Sequence, residues 1–148
     1  MTYKQKVVIN NISINDVIQS FHNYDFVKFL TLLQPVRINY WEGIKNDMTA
    51  DFSFWFFGWK NIKVIHKNYH KTKEHLYFED HGLEMPFHLS YWEHHHIIKP
   101  HKNGVIIIDK VKMKSTNSNF LIYLIMLFPV VIRRVTYKIW FKIKFNDK

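Results

Sequence analysis

From Val36 to Met113 the chain runs in short β-branched and aromatic segments divided by turn-prone pieces, whereas on either side apolar residues recur at helical spacing. "KQKVVIN" (Lys4–Asn10) predicts a first strand. Ser13, three residues before Asp16, predicts a helix N-cap with an acidic first turn. Val17, Ile18, Phe21, Phe26, Phe29, Leu30 and Leu33 then suit one or two short helices, which end before Pro35 because the residue preceding a proline is pushed out of the helical region. "VRINYW", "TADFSFWFFG", "NIKVIHKNYH", "EHLYFEDH", "FHLSYWEHHHII" and "GVIIIDKVKM" read as six strands. The short turns between them ("EGIKND", "GWKN", "HGLEMP", "PHKNG") imply an antiparallel meander. From about Asn117 to Phe145 a long terminal helix is expected, bent near Pro129. The class is therefore α+β, about seven strands in the order β-α-α-β6-α. No linker or repeat divides residues 1–148, so one domain is expected. A twisted antiparallel sheet has a concave face, and a single long apolar helix is its natural cover.

Composition sharpens the picture of what lies between sheet and helix. Thirteen Phe, eight Tyr and five Trp make 18% of the chain aromatic, more large rings than a compact core of 148 residues needs. Rings on the concave face would hold helix and sheet apart and leave a cavity. "DFSFWFFGW" places Phe52, Phe54 and Phe56 on one face and Ser53, Trp55 and Phe57 on the other. Apolar character on both faces also hints at a dimer interface, so monomer and homodimer stay open.

Lys and Arg outnumber Asp and Glu 21 to 12, a net charge of +9, but no nucleic-acid motif accompanies the excess, and no nucleic-acid partner is expected. Without cysteine there are no disulfides or thiolate metal sites. The N-terminal residues carry no apolar signal core, which suggests a cytoplasmic protein. "FLIYLIMLFPVVI" (Phe120–Ile132) is thirteen residues long, short of the roughly 20 that a spanning helix needs, and contains Pro129. It reads as a buried helix that can touch a membrane. From Arg133 onward six basic residues meet one acid, with Arg134, Lys138 and Lys142 on one stripe. The stripe is either a solvated face or a docking surface for anionic membrane.

The candidate chemistry lies in "YWEHHHIIKPHKNGVIIID". Alternation along a strand puts Trp92, His94 and His96 on one face and His95 on the other, toward solvent. If the "PHKNG" turn pairs Pro100 with Val105, His96 falls opposite Asp109. Lys110, Lys112 and Lys114 take the outer face, so Asp109 points inward with the two histidines. A buried Asp beside a buried His must be paired. The pair can brace the sheet, anchor a ligand's polar group, or act as a metal site or acid/base pair. His-x-His with a carboxylate is chemically adequate for zinc, but no further inward ligand is legible, and no metal or other cofactor is assigned.

These features resemble the SRPBCC superfamily, which includes START lipid-transfer domains, the birch-pollen-allergen fold and polyketide aromatase/cyclases, and most closely its bacterial ligand-binding branch. Trp59 and Ile62, then "FED" (Phe78–Asp80), match the first pieces of that branch's central run. Pro86, Phe87, Trp92, His94 and His96 match its W-x-H-x-H piece, and Gly104, Asp109 and Val111 its D-x-V piece. The chain departs from the pattern at Met85, where glycine is usual, in the longer step from Phe87 to Trp92, and at Ile97–Ile98. The resemblance implies a helix-grip fold and binding of apolar small molecules or lipids. The expected lining is Phe52, Phe54, Phe56, Trp92, Val111, Met113, Leu121, Leu124 and Ile125, with His94, His96 and Asp109 as the polar group. A non-catalytic carrier or sensor is the first expectation. The alternatives are a cyclase- or hydratase-like enzyme using His94 or His96 with Asp109, and a membrane-surface protein working through the basic helix.

Overall fold

The computed structural model describes residues 1–117 and 119–145. Ser118, inside the stretch expected to be helical, and the expected domain limit at Lys148 lie outside the described residues. The elements run β1 (Thr2–Asn10), α1 (Ile14–Phe21), α2 (Tyr24–Leu30), β2 (Val36–Trp41), β3 (Thr49–Trp55), β4 (Trp59–Lys71), β5 (Leu76–Glu84), β6 (Leu89–His101), β7 (Gly104–Ser115), α3 (Phe120–Val131) and α4 (Arg133–Phe145). All seven strands form one antiparallel sheet in the order β1-β7-β6-β5-β4-β3-β2. The six-strand meander is as expected, and β1 adds to its far edge by pairing with β7 from Thr2↔Lys112 to Asn10↔Gly104. Gly104 is required at this join: a Cβ there would sit 2.0 Å from the Ile9 carbonyl oxygen.

Ser13 caps α1 by accepting from the Asp16 amide at 3.1 Å, and Asn23 caps α2 by accepting from the Asp25 amide at 2.8 Å. The two helices bury Val17, Ile18, Phe21, Phe26 and Leu30 over one end of the concave face. The terminal helix covers the rest. Asn119 caps α3 through its side-chain oxygen, and the backbone breaks at Ile132, three residues after Pro129, rather than at the proline itself. Proline lacks the N–H for one intrahelical bond. The long terminal helix is as expected, with its interruption at Ile132 close to Pro129, and it starts at Phe120 rather than Asn117. Phe120–Phe145 is long and apolar enough to cross a membrane, with mean hydropathy 1.7 in its most apolar window. Its inner residues, however, are packed on the sheet.

Two apolar clusters result. One gathers Phe21, Phe26, Ile107, Tyr137, Trp140 and Phe141 beneath α4. The other gathers Val111, Met113, Ile122, Met126, Leu127 and Val130 beneath α3. Val111 and Met113, expected to line a cavity, are thus filled over by the α3 side chains.

Candidate functional site

The strand registers set two polar rows side by side on the concave face. In the first, His66 on β4 pairs with Asp80 on β5, and Asp80 with His94 on β6. In the second, His96 on β6 pairs with Asp109 on β7, and Asp109 with Gln5 on β1. The hairpin has the expected Pro100↔Val105 register, so Trp92, His94, His96 and Asp109 share the inner face.

Asp109 is fully buried and saturated. It accepts from Gln5 Nε2 at 3.0 Å, His94 Nε2 at 2.9 Å and Tyr137 hydroxyl at 3.3 Å. Gln5 in turn donates to the Val130 carbonyl at 2.8 Å and accepts from Arg134 Nε at 3.1 Å, tying β1, β7 and the terminal helix together. Because His94 gives its Nε2 proton to Asp109, its Nδ1 is left as a lone pair, 3.8 Å from Asp80 Oδ2. His96 Nε2 meets Asp80 Oδ2 at 2.9 Å, and its Nδ1 faces Asp109 Oδ1 at 3.4 Å without hydrogen-bond geometry. His66 Nε2 lies 3.6 Å from Asp80 Oδ1. Three buried polar atoms of this group, His66 Nδ1, Asp80 Oδ1 and His96 Nδ1, have no hydrogen-bond partner.

The electrostatics follow from burial and from these neighbours. Burial, reinforced by His96, pushes the His94 pKa down to about 4, so His94 is a neutral imidazole near pH 7. For His96 burial works the same way, but the Asp80 and Asp109 carboxylates outweigh it and hold its pKa above the ordinary imidazole value. Burial alone would raise Asp80 and Asp109. Hydrogen bonds and charge from the histidines instead hold both well below the usual carboxylate range. A neutral His94 backed by Asp109 can accept a hydrogen bond, take a proton or donate a lone pair at Nδ1.

These groups form the polar end of a cavity of about 150 Å³ between the sheet, α2 and the α3–α4 junction. Phe52, Phe54, Ile62, Val64, Phe78 and Trp92 supply its apolar wall, and His66, Asp80, His94, His96 and Arg133 its polar end. Of the expected lining, Phe52, Phe54, Trp92, His94 and His96 are there. Asp109 lies behind the histidines. Phe56 sits beyond the end of β3, against Phe87 at 5.8 Å, because the chain turns at Phe57 and Gly58. Leu121 and Leu124 are about half exposed, and Ile125 is half-buried away from the cavity; α3 turns Met126, Pro129 and Val130 inward instead. His95 is on the convex face as expected, but half-buried rather than open to water, within a network of Tyr77, Glu79, His81, Tyr91 and Glu93.

Sequence reasoning missed His66, Asp80 and Arg133. Asp80 was within reach: in "LYFED" the apolar Leu76 and Phe78 define the inner parity, and Asp80 continues it. His66 depends on the β4–β5 register, which shifts at Lys67/His70 and is not legible beforehand.

A curved antiparallel sheet gripping a C-terminal helix around an internal cavity is the helix-grip fold, the one shared by START domains, pollen allergens and polyketide cyclases. No family model matches the chain, and no curated protein matches its sequence. Among solved structures, a hypothetical protein from Helicobacter pylori is similar at a TM-score of 0.65 and 15% identity, over 93% of this chain and 88% of that one. Norcoclaurine synthase from Thalictrum flavum, in complex with dopamine and hydroxybenzaldehyde, is similar at 0.61 and 14%, over 94% of this chain and 82% of that one. The di-domain ARO/CYC StfQ of the steffimycin biosynthetic pathway is similar at 0.56 and 12%, over 92% of this chain and 46% of that one. At these identities the likeness is one of fold.

Proposed function

We propose that this protein binds a small, largely apolar molecule in the cavity, as a carrier or sensor rather than a catalyst. The observation that carries the reading is a cavity whose wall is aromatic and aliphatic while its polar groups converge at one end. Its volume of about 150 Å³ matches a single aromatic ring, since an engineered apolar cavity of about that size takes up benzene. Burial of apolar ligand surface drives binding, and the polar end sets orientation.

The test is thermal unfolding in the presence of phenol, toluene and indole. A ligand at 100 times its Kd stabilises by about 2.7 kcal/mol, an easily read rise in Tm. Ala50→Phe, which puts a ring into the cavity from its wall, abolishes the rise. No stabilisation by any of the three, in protein whose native mass carries no bound molecule, overturns the reading.

A second reading, contact with anionic membrane, has its own support. Phe120, Leu124, Phe128, Val131, Val135, Ile139 and Ile143 form an exposed apolar stripe along the outer side of α3 and α4. Arg134, Lys138, Lys142 and Lys144 are exposed beside it. An apolar stripe bordered by basic residues is the pattern of interfacial helices. Flotation with phosphatidylserine vesicles tests it, and protein that stays in the pellet at low salt overturns it.

A further inference from the structure

We infer that Asp80, His94 and His96 form a binding site for a divalent first-row transition-metal ion, zinc or ferrous iron in class, at the polar end of the cavity. This goes beyond the proposed ligand binding and does not rest on it, because the three groups are held by the sheet whether or not the apolar part of the cavity is filled.

Geometry comes first. One oxygen of Asp80 and one nitrogen of each histidine lie within 4.8 Å of one another. His96 Nε2 is 2.9 Å and His94 Nδ1 3.8 Å from Asp80 Oδ2. Tetrahedral ligation at about 2.0–2.1 Å puts ligand atoms about 3.3 Å apart, and the two distances from Asp80 Oδ2 bracket that value, each within about half an ångström. The registers Asp80↔His94 and Phe78↔His96 fix all three on adjacent strands, which is stiffer support than a loop.

The groups behind the ligands point the same way. Asp109 Oδ1 accepts from His94 Nε2 at 2.9 Å and faces His96 Nδ1 at 3.4 Å. Both imidazoles are thereby turned with their other nitrogen toward Asp80. Carboxylate-backed histidine is the usual arrangement around a metal, since it fixes the tautomer and strengthens the donor.

Finally, the site has an unmet need. Asp80 Oδ1 is buried with no hydrogen-bond partner. Buried polar atoms are nearly always paired, and an orphaned carboxylate oxygen calls for a cation or a water. Coordinated as neutral imidazoles, the two histidines add no charge, so two carboxylates (Asp80, Asp109) against one guanidinium (Arg133) leave a net charge of −1 for the cation to meet. A set of two nitrogens and a carboxylate oxygen suits zinc or iron rather than calcium or magnesium, which prefer all-oxygen shells. On metal entry His96 donates through Nε2 as a neutral imidazole whose one proton sits on Nδ1 toward Asp109 Oδ1, and the second proton, where His96 is charged, leaves to solvent. Three protein ligands leave a position open toward the cavity, where water completes the shell and His66 Nε2, 3.6 Å from Asp80 Oδ1, stands alongside.

The experiment is titration of chelator-treated, dialysed protein with Co²⁺, read by its visible absorption, followed by displacement with Zn²⁺. Wild type takes up one equivalent with the intense bands of a four-coordinate site, and Zn²⁺ bleaches them. Asp80→Asn weakens binding at least tenfold, and His95→Ala, on the opposite face, leaves it unchanged. His94→Asn replaces Asp80→Asn if circular dichroism shows that variant unfolded. Absence of stoichiometric uptake by folded wild type overturns the proposal and assigns water to Asp80 Oδ1. So does loss of binding in His95→Ala, which moves the site to the convex Glu79, Glu93 and His95 cluster. The apolar-ligand experiment is run without metal, so either result stands without the other.

Discussion

Asp109 carries three donors from three elements and has no exposure to water. Replacing its charge with an amide turns an NH2 group toward at least one donor. Asp109→Asn is therefore expected to cost about 3 kcal/mol or more, measured by urea unfolding, because a buried network fails when one partner is removed. Tyr137→Phe, which deletes a single neutral donor, should cost about 1 kcal/mol. On the convex face, burial alone would raise the pKa of Glu79. Hydrogen bonds from Tyr77, His81 and Asn68 instead pull it below its ordinary value of 4.5. A carboxylate depressed in the folded state stabilises above its unfolded pKa, and that contribution is lost as pH falls through the folded value. Stability should accordingly drop as pH falls below about 4.5, and less steeply in Glu79→Gln; equal slopes in the two proteins would remove this role. At this scale the sequence was most legible where a tight turn fixed register: Asp109 and His96 were paired from "PHKNG" and the lysine alternation. It was least legible where the partner came from a distant strand, as with His66, or from a helix, as with Arg133 and Tyr137.

At the scale of elements, the six-strand meander was readable because each strand ends at turn chemistry and each carries β-branched or aromatic residues. The phase of α3 was not. "FLIYLIMLFPVV" is apolar nearly all round, so no polar face marks which side meets the sheet. Tertiary packing chooses Ile122, Met126, Leu127 and Val130, one position away from the expected Leu121 and Ile125. The consequence is measurable. Met126→Ala should cost about 2–5 kcal/mol through the cavity it opens. Leu124→Ala, on the exposed side, should stay within about 0.5 kcal/mol. Comparable losses at both positions would mean that the helix sits in another phase. Pro129 removes one bond, the helix is interrupted at Ile132, and beyond it α4 packs Tyr137, Trp140 and Phe141 on the other cluster.

On the scale of the molecule, a net charge of +9 and an outer helical stripe of large apolar side chains act together. If that stripe meets anionic vesicles, binding should weaken as added salt shortens the Debye length from about 10 Å to about 3 Å. Phe128→Glu should abolish it at unchanged Tm, because Phe128 is 52% exposed. Vesicle binding that ignores both changes would assign the attachment elsewhere. A different consequence follows from the place of β1. The first strand of the chain joins the last, Thr2 pairing with Lys112 and Asn10 with Gly104. During synthesis Val7 and Ile9 leave the ribosome about a hundred residues before the edge that receives them exists. The N-terminal ribbon must therefore wait, apolar and unpaired, until the final hairpin emerges. Such distant pairing slows folding, and the waiting strand is the segment for which a chaperone has the longest opportunity.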